Sequence, residues 1–360
     1  MKAITKAKGL RLERVQASKQ WGDGTFKNTF GVGPGLKGGN TLSTMGEYFC
    51  GKQERVPPGL LPSTSPLAAW QKKPDSGLRT TWLGHSTVLI ELDGVRVITD
   101  PVFGERISPV KFAGPKRFQP APVSIEQLPR LDAIILSHDH YDHLDRWSVE
   151  RLAKTDTPWF TSLGVGGHLE KYGVAPEKIT ELDWWETAAI PNSDVEITAA
   201  PSQHFSGRGL GDRNHTLWSS FAVRGPEHSV FFSGDTGLTK EYADIKKKLG
   251  PFDAVLLEIG AWNEAWGDIH LGPANALEAL KLLGGGLLLP VHWGTFNLAF
   301  HDWNEPAETM FDLAPKSGAK VMMPILGAAT EPVRYEGLDP WWRGVKAAKR
   351  GTAARAIGGT

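Results

Sequence analysis

The sequence predicts an α/β protein built on mixed β-sheets. Three observations carry that expectation. Short apolar, β-rich runs recur along the chain, patterns with helical spacing lie between several of them, and an Asp-Gly turn joins two β-prone runs into a hairpin. With 360 residues and 40% apolar side chains, the chain can bury a large core.

Residues 1–77 are rich in Gly, Pro, Lys and Ser without a clear period, and read as an irregular extension packed on the domain. The domain itself is expected over 78–338. Its first strand is Arg79 to Gly84; Val88 to Leu92, Asp93-Gly94 and Val95 to Thr99 form the hairpin. Further strands are expected at Ala133 to Leu136, Val195 to Ala199, Val230 to Ser233, Ala254 to Glu258, Leu287 to Val291 and Val321 to Ile325. Gly272-Pro273 followed by Ala274 to Leu283 places Pro in a first helical turn, and Glu305 to Ala314 is a second helix. After Asp339, residues 339–360 form a basic tail carrying Arg343, Lys346, Lys349, Arg350 and Arg355, expected to be a loose end.

Bulk properties narrow the function. Net charge is zero, which argues against a nucleic-acid surface as the main task. The single cysteine, Cys50, can form no internal disulfide and reads as an ordinary thiol. No apolar run follows the basic residues after Met1, and no stretch reaches the length of a membrane span, so neither signal peptide nor transmembrane segment is expected; the cytoplasm is the expected location. The 14 tryptophans, several in pairs (Trp184-Trp185, Trp341-Trp342), are chiefly packing residues.

The chemistry is concentrated in Ser137-His-Asp-His-Tyr-Asp-His-Leu-Asp145, directly after the apolar run that ends at Leu136. A single His after a strand is usually solvated or hydrogen-bonded. Three imidazoles and three carboxylates packed together repel unless a cation or partner compensates. Alternating residues of extended chain share a face, so His138 and His140 can grip one ion, while Asp142 and His143, past the bend, can face a second. Nitrogen and oxygen donors suit zinc best, and iron or manganese also.

Four other strands run into a polar group at their carboxyl ends, where open sheets place their sites: Asp100, His204, Asp235 and His292. Glycines flank Asp235 in Gly234-Asp-Thr-Gly237 and let backbone approach an ion closely. With the first cluster these supply seven ligands, His138, His140, Asp142, His143, His204, Asp235 and His292, enough for two ions sharing one carboxylate. No Gly-x-Ser-x-Gly turn offers a serine nucleophile.

That order of residues resembles the metallo-β-lactamase superfamily, and within it the N-acyl-phosphatidylethanolamine-hydrolysing phospholipase D family and its bacterial relatives. Supporting segments are Trp82-Leu-Gly-His-Ser-Thr87, Thr99-Asp-Pro-Val-Phe103, Gly114-Pro-Lys-Arg-Phe118, Glu181-Leu-Asp-Trp-Trp-Glu186, Pro201-Ser-Gln-His204, Gly234-Asp-Thr-Gly237 and His292-Trp-Gly-Thr-Phe296. They span residues 79–330, about 70% of the chain. The metal motif marks the superfamily, and the Trp-Trp-Glu and His-Trp-Gly-Thr-Phe segments mark the branch. Phe205 to Arg213 and the amino-terminal extension depart from the vertebrate enzyme's pattern.

The resemblance implies an αββα sandwich, two mixed sheets flanked by helices. It implies that His138, His140 and His204 hold one divalent ion, that Asp142, His143 and His292 hold the other, and that Asp235 bridges them. His85 and Asp100 would orient those ligands, and Asp142, Asp235 and His270 would carry the catalysis. A water shared by the ions would attack phosphorus or an acyl carbon. The implied substrate is a phospholipid phosphodiester, with Lys116, Arg117 and Arg208 as phosphate contacts. Contact with a membrane surface and a homodimer are implied as well. A lactonase or other ester hydrolase is the nearest rival, since the same ions activate water for either electrophile; a metal- or ligand-binding protein without turnover is the other.

Overall fold

The computed structural model describes residues 8–31, 33, 52–110, 112–209, 211–263, 266–334 and 336–346. Cys50, Lys349, Arg350 and Arg355 lie outside them. In chain order the strands are β1 (Trp21–Gly22), β2 (Thr25–Phe26), β3 (Leu78–Gly84), β4 (Thr87–Leu92), β5 (Val95–Thr99), β6 (Ala133–Leu136), β7 (Trp159–Ser162), β8 (Ile179–Leu182), β9 (Thr187–Ala189), β10 (Glu196–Ala200), β11 (Ser220–Arg224), β12 (Ser229–Phe232), β13 (Ala254–Glu258), β14 (Leu287–Val291) and β15 (Ala329–Thr330). The helices are α1 (Leu10–Ala17), α2 (Leu67–Trp70), α3 (Arg146–Leu152), α4 (Gly166–Lys171), α5 (Glu241–Leu249), α6 (Gly272–Leu282) and α7 (Glu305–Ser317).

Two mixed sheets face each other. One has seven strands in the order β15-β3-β4-β5-β6-β7-β8, the other six in the order β14-β13-β12-β11-β10-β9. Side-chain alternation shows why they stack. On β4 and β6, Val88, Ile90, Leu92, Ala133 and Ile135 join the core shared with Ile197, Phe221, Val223 and Phe231 of the second sheet. The intervening Leu89, Ile134 and Leu136 face the other way, against Val149 and Leu152 of α3 and Leu169 of α4. Both faces are therefore covered, and these strands read as unbroken apolar runs rather than alternating ones. The second sheet's outer face is closed by α5, α6 and α7 through Ile245, Ala276, Ala279 and Met310. This is the αββα arrangement that the resemblance implied.

The parallel strands set the site. β5, β6, β7 and β8 run parallel in one sheet, and β12, β13 and β14 in the other, so their carboxyl ends gather at one edge of the sandwich.

Three sequence expectations are corrected. Residues 10–26 are not irregular: α1 and the β1-β2 hairpin pack Val15 and Phe26 against Leu163, Trp184 and Trp218, and Arg11 pairs with Glu170 and Glu181. Val321 to Ile325 is no strand; Val321 bridges Leu288 alone, because Pro324 lacks the donor needed to continue along β14. The packed body also passes the expected boundary at 338: Trp341 lies 5.6 Å from Trp293, Trp342 is buried, and Arg343 pairs with Glu308. No helix of the described residues is long and apolar enough to cross a membrane.

Asp93 bridges a turn of one sheet to a turn of the other. The Asp93 carboxylate, in the β4-β5 turn, accepts the backbone N–H groups of Glu227 and His228, each at 3.0 Å, and His228 Nδ1 at 2.6 Å, in the β11-β12 turn. Burial would raise its pKa, but these bonds, led by His228, hold it below the ordinary carboxylate range. Such a group stabilises the fold above its unfolded pKa of about 3.9, and the gain is lost as pH falls through the folded value. Replacing it with alanine (Asp93→Ala) is expected to cost about 1–3 kcal/mol at neutral pH. Urea unfolding at several pH values should show that cost shrinking towards acid; a cost independent of pH would contradict this account.

Candidate metal centre

The run after β6 delivers its side chains into that gathering edge. Asp145 ends it as the cap of α3, accepting N–H bonds from Trp147 and Ser148. Asp139 is buried and accepts from the Gly207 amide at 2.8 Å and from Thr216 at 3.0 Å, which fastens the loop after β10. These two carboxylates do structural work. His138, His140, Asp142 and His143 face inward.

Two sets of donors form there. His138 Nε2 and His204 Nε2 lie 2.9 and 3.2 Å from His140 Nδ1, so three imidazole nitrogens converge. Asp142, His143, His292 and His85 form the second set. Asp235 stands between them: its Oδ2 lies 3.7 Å from His204 Nε2, 3.9 Å from His138 Nε2 and 3.1 Å from His143 Nε2, while Oδ1 lies 3.3 Å from His292 Nε2. The structure thus brings together all seven sequence-predicted ligands.

The far nitrogens of His138, His143 and His204 are held. His204 Nδ1 donates to the Ile269 carbonyl at 2.9 Å, and His143 Nδ1 to Asp100 at 2.6 Å. His138 Nδ1 meets Ser137 Oγ, which donates to Asp100 in turn. Each bond fixes a tautomer and leaves the inner nitrogen with its lone pair facing the centre. His85 Nε2 lies 3.1 Å from Asp142 Oδ2. His85, Asp100 and His292 all adopt positive φ, at 52°, 33° and 63°, a conformation that residues with side chains seldom occupy. Gly234, at φ 55°, packs so tightly that a Cβ would sit 2.7 Å from that of Ser137.

The electrostatics fit a cation. Burial pushes His85 down to about 3, with the charge of His292 adding, and pushes His138 and His204 well below the ordinary imidazole range. Burial also opposes charge on His292, yet Asp235 and Asp142 raise it to about 10. The centre therefore combines neutral imidazoles at His138 and His204 with carboxylates, Asp235 and Asp142, that draw positive charge onto His292. His143 Nε2, Asp235 Oδ1 and both ring nitrogens of His292 are buried without a hydrogen-bond partner. Orphaned donors of these kinds, pointed at a common space, are what a bound divalent metal would satisfy.

The three basic residues expected at phosphate are placed otherwise. Arg117 is buried and donates to the Val102, Leu83 and Gln119 carbonyls; burial draws its guanidinium down to about 10. Lys116 is exposed and pairs with Glu105 at 2.8 Å. Arg208 stands nearer the site, but its Nη1 donates to the Asp139 and Leu144 carbonyls and its guanidinium stacks 4.0 Å over Tyr141. These contacts bind loops together.

Two further residues join the site that sequence reading passed over. Asn28 donates from Nδ2 to the His204 carbonyl at 2.7 Å and accepts the His204 amide at 3.1 Å, so the amino-terminal segment grips a ligand loop. Glu258 ends β13, just as Asp100 and His292 follow their strands, and its carboxylate takes His270 Nδ1 at 2.6 Å. The strand-end signal used for the others would have found it.

The profile of the beta-lactamase superfamily domain matches residues 95–293, more than half of the chain. The chain belongs to the metallo-β-lactamase superfamily. It is a metal-dependent hydrolase of that fold. It is 40% identical over 250 residues to N-acyl-phosphatidylethanolamine-hydrolyzing phospholipase D 1 of Caenorhabditis elegans, covering 66% of this chain and 70% of that protein. It is 46% identical over 272 residues to an uncharacterized protein of Mycobacterium tuberculosis, covering 74% of this chain and 72% of that one. Among solved structures, isothiocyanate hydrolase from Delia radicum gut bacteria shares the fold with a TM-score of 0.58 at 23% identity, over 70% of this chain and 98% of that one.

The Asp100 carboxylate is the natural place to perturb the centre without removing a ligand. An Asp100→Asn protein is expected to bind metal about 10–100-fold more weakly, because the tautomers of His143 and His138 are no longer fixed. Competition against a chromophoric chelator measures this, and unchanged affinity would deny Asp100 its orienting role.

Proposed function

We propose that this metal-dependent hydrolase is a phosphodiesterase that acts on a phospholipid, in the manner of the N-acyl-phosphatidylethanolamine-hydrolysing phospholipases D it resembles. One observation carries the reading: Asp235 reaches both sets of donors, Oδ2 towards His204 and Oδ1 towards His292, in a chain 40% identical to a phospholipase of that name. His138, His140 and His204 would hold one ion, and Asp142, His143 and His292 the other, with Asp235 common to both. Two divalent cations held there, zinc being the best match to these donors, would supply a water ionised near neutral pH and positive charge opposite a developing oxyanion.

The protein's own part is orientation. Asp100, His85 and the Ile269 carbonyl hold the ligands in place. His270 borders a pocket of about 300 Å³ lined by Trp262, Trp266, Leu271, Pro273 and Thr309, beside the donor sets. The pocket has room for one end of a substrate, a head group or a length of chain, against the tryptophan walls.

The test is hydrolysis by zinc-loaded protein of N-acyl phospholipids, ordinary phospholipids, cyclic nucleotides and lactones at matched metal content. Release of a phosphatidate-type product from the phospholipids is expected. Turnover confined to lactones would replace this reading with that of an ester hydrolase, and no turnover of any of them would leave a binding protein.

A further inference from the structure

The proposal concerns Glu258, and it rests on the hydrolase reading above. Glu258 closes β13 with no exposed surface, among Leu256, Leu257 and Ile259, which are as deeply buried. A carboxylate there is costly unless every oxygen is satisfied. Both oxygens are. Oε1 accepts the Thr236 amide at 2.6 Å, in the loop that carries Asp235, and Oε2 accepts His270 Nδ1 at 2.6 Å. Neighbouring apolar side chains gain nothing from this arrangement, whereas the imidazole gains a fixed direction.

In the 2.6 Å contact the carboxylate oxygen accepts from Nδ1, so a ring proton of His270 sits on Nδ1 and Nε2 is turned away from Glu258. The ring lies 5.0 Å from that of His204 and 5.5 Å from that of His292, one neighbour from each donor set. It retains some exposure, on the side of the pocket lined by Trp262 and Trp266. Nε2 therefore belongs to the space between the metal donors and the pocket, where a scissile group would lie. Oε2 also lies 3.8 Å from His292 Nδ1, an atom without a hydrogen-bond partner, so one carboxylate backs two imidazoles of the site.

We propose that Glu258 is a positioning residue for hydrolysis: it pins the His270 proton to Nδ1 and turns Nε2 towards the reacting group. The logic is that of an acid orienting an imidazole beside a nucleophile. Here the imidazole serves a site that needs no side-chain nucleophile.

Two measurements test this. In metal-free protein labelled with 15N-histidine, a strongly downfield ring N–H resonance is expected in the wild type and should vanish in both Glu258→Gln and His270→Ala. Its persistence in Glu258→Gln would overturn the pairing. In zinc-loaded protein, hydrolysis is followed with bis(p-nitrophenyl) phosphate and p-nitrophenyl acetate. Glu258→Gln should lower kcat about 10–100-fold, as loss of an orienting partner does, with KM and bound zinc unchanged. Adding Glu258→Gln to His270→Ala should lower kcat no further, and Glu258→Asp should recover part of the loss. Loss of zinc or a raised KM in Glu258→Gln, or multiplying effects in the double variant, would make Glu258 a structural support only. Turnover of the carboxyl ester alone would sink the phosphodiesterase reading and leave this test intact; turnover of neither would sink both.

Discussion

Asp235→Asn is expected to reduce hydrolysis about a thousandfold, more than any other single substitution outside the histidines. The carboxylate reaches donors from both sets, with contacts of 3.7 Å to His204 in one and 3.1 Å to His143 and 3.3 Å to His292 in the other. An amide keeps the shape but offers one neutral oxygen and one NH2 group, which would face a cation with the wrong dipole. Several kcal/mol of charge stabilisation at the reacting centre would go, and each 1.4 kcal/mol is tenfold in rate. Burial would oppose ionisation of Asp235, but His143 and His292 beside it hold its pKa well below the ordinary range, so the native group is anionic through neutral pH. Metal analysis run beside the kinetics should show less than the wild-type stoichiometry. Wild-type kcat/KM in the variant would contradict the shared role given to Asp235.

Removing metal should cost stability as well as activity. The centre gathers Asp142, Asp235 and five imidazoles, and among them His143 Nε2, Asp235 Oδ1 and both nitrogens of His292 have no hydrogen-bond partner. A ligand that binds only the folded state stabilises it by about 4 kcal/mol at a thousandfold excess over its Kd. For a domain of this size that corresponds to a fall in Tm on the order of 10 °C after chelation. Adding zinc back should restore both Tm and turnover. Chelated protein that keeps its Tm and its activity would show that the cluster satisfies itself without a cation.

Much of the fold could be read in the chain, and the reasons differ by element. The Asp93-Gly94 turn and the runs at Ala133–Leu136, Ala254–Glu258 and Leu287–Val291 announce themselves because they are buried on both faces and bounded by turn residues. The strands Trp159–Ser162 and Thr187–Ala189 are too short to show a period, and pairing with neighbours distant in sequence decides them. Glu241–Leu249 did carry a helical spacing, with Tyr242 and Ile245 buried, but its lysine-rich end hid it. The run at Val321 misled because apolar composition alone cannot register the donor that Pro324 lacks.

The site divides in the same way. The histidines and acids that follow strands were legible because strand ends converge whatever the intervening loops do. Asn28 was not, since its partner His204 lies 176 residues away and nothing local marks an asparagine as a clasp. Glu258 was passed over as the last residue of an apolar strand, although the signal was the one already in use. Arg117 was misplaced because a basic residue between loops looks the same in sequence whether its nitrogens face phosphate or backbone carbonyls.

The most direct measurement is anomalous diffraction at the zinc edge from crystals of zinc-loaded protein. Two peaks about 3.5–4 Å apart are expected, one among His138, His140 and His204, the other among Asp142, His143 and His292, with Asp235 touching both. A single peak, or two that leave Asp235 or His292 out of bonding reach, would contradict the shared centre on which the proposed chemistry depends.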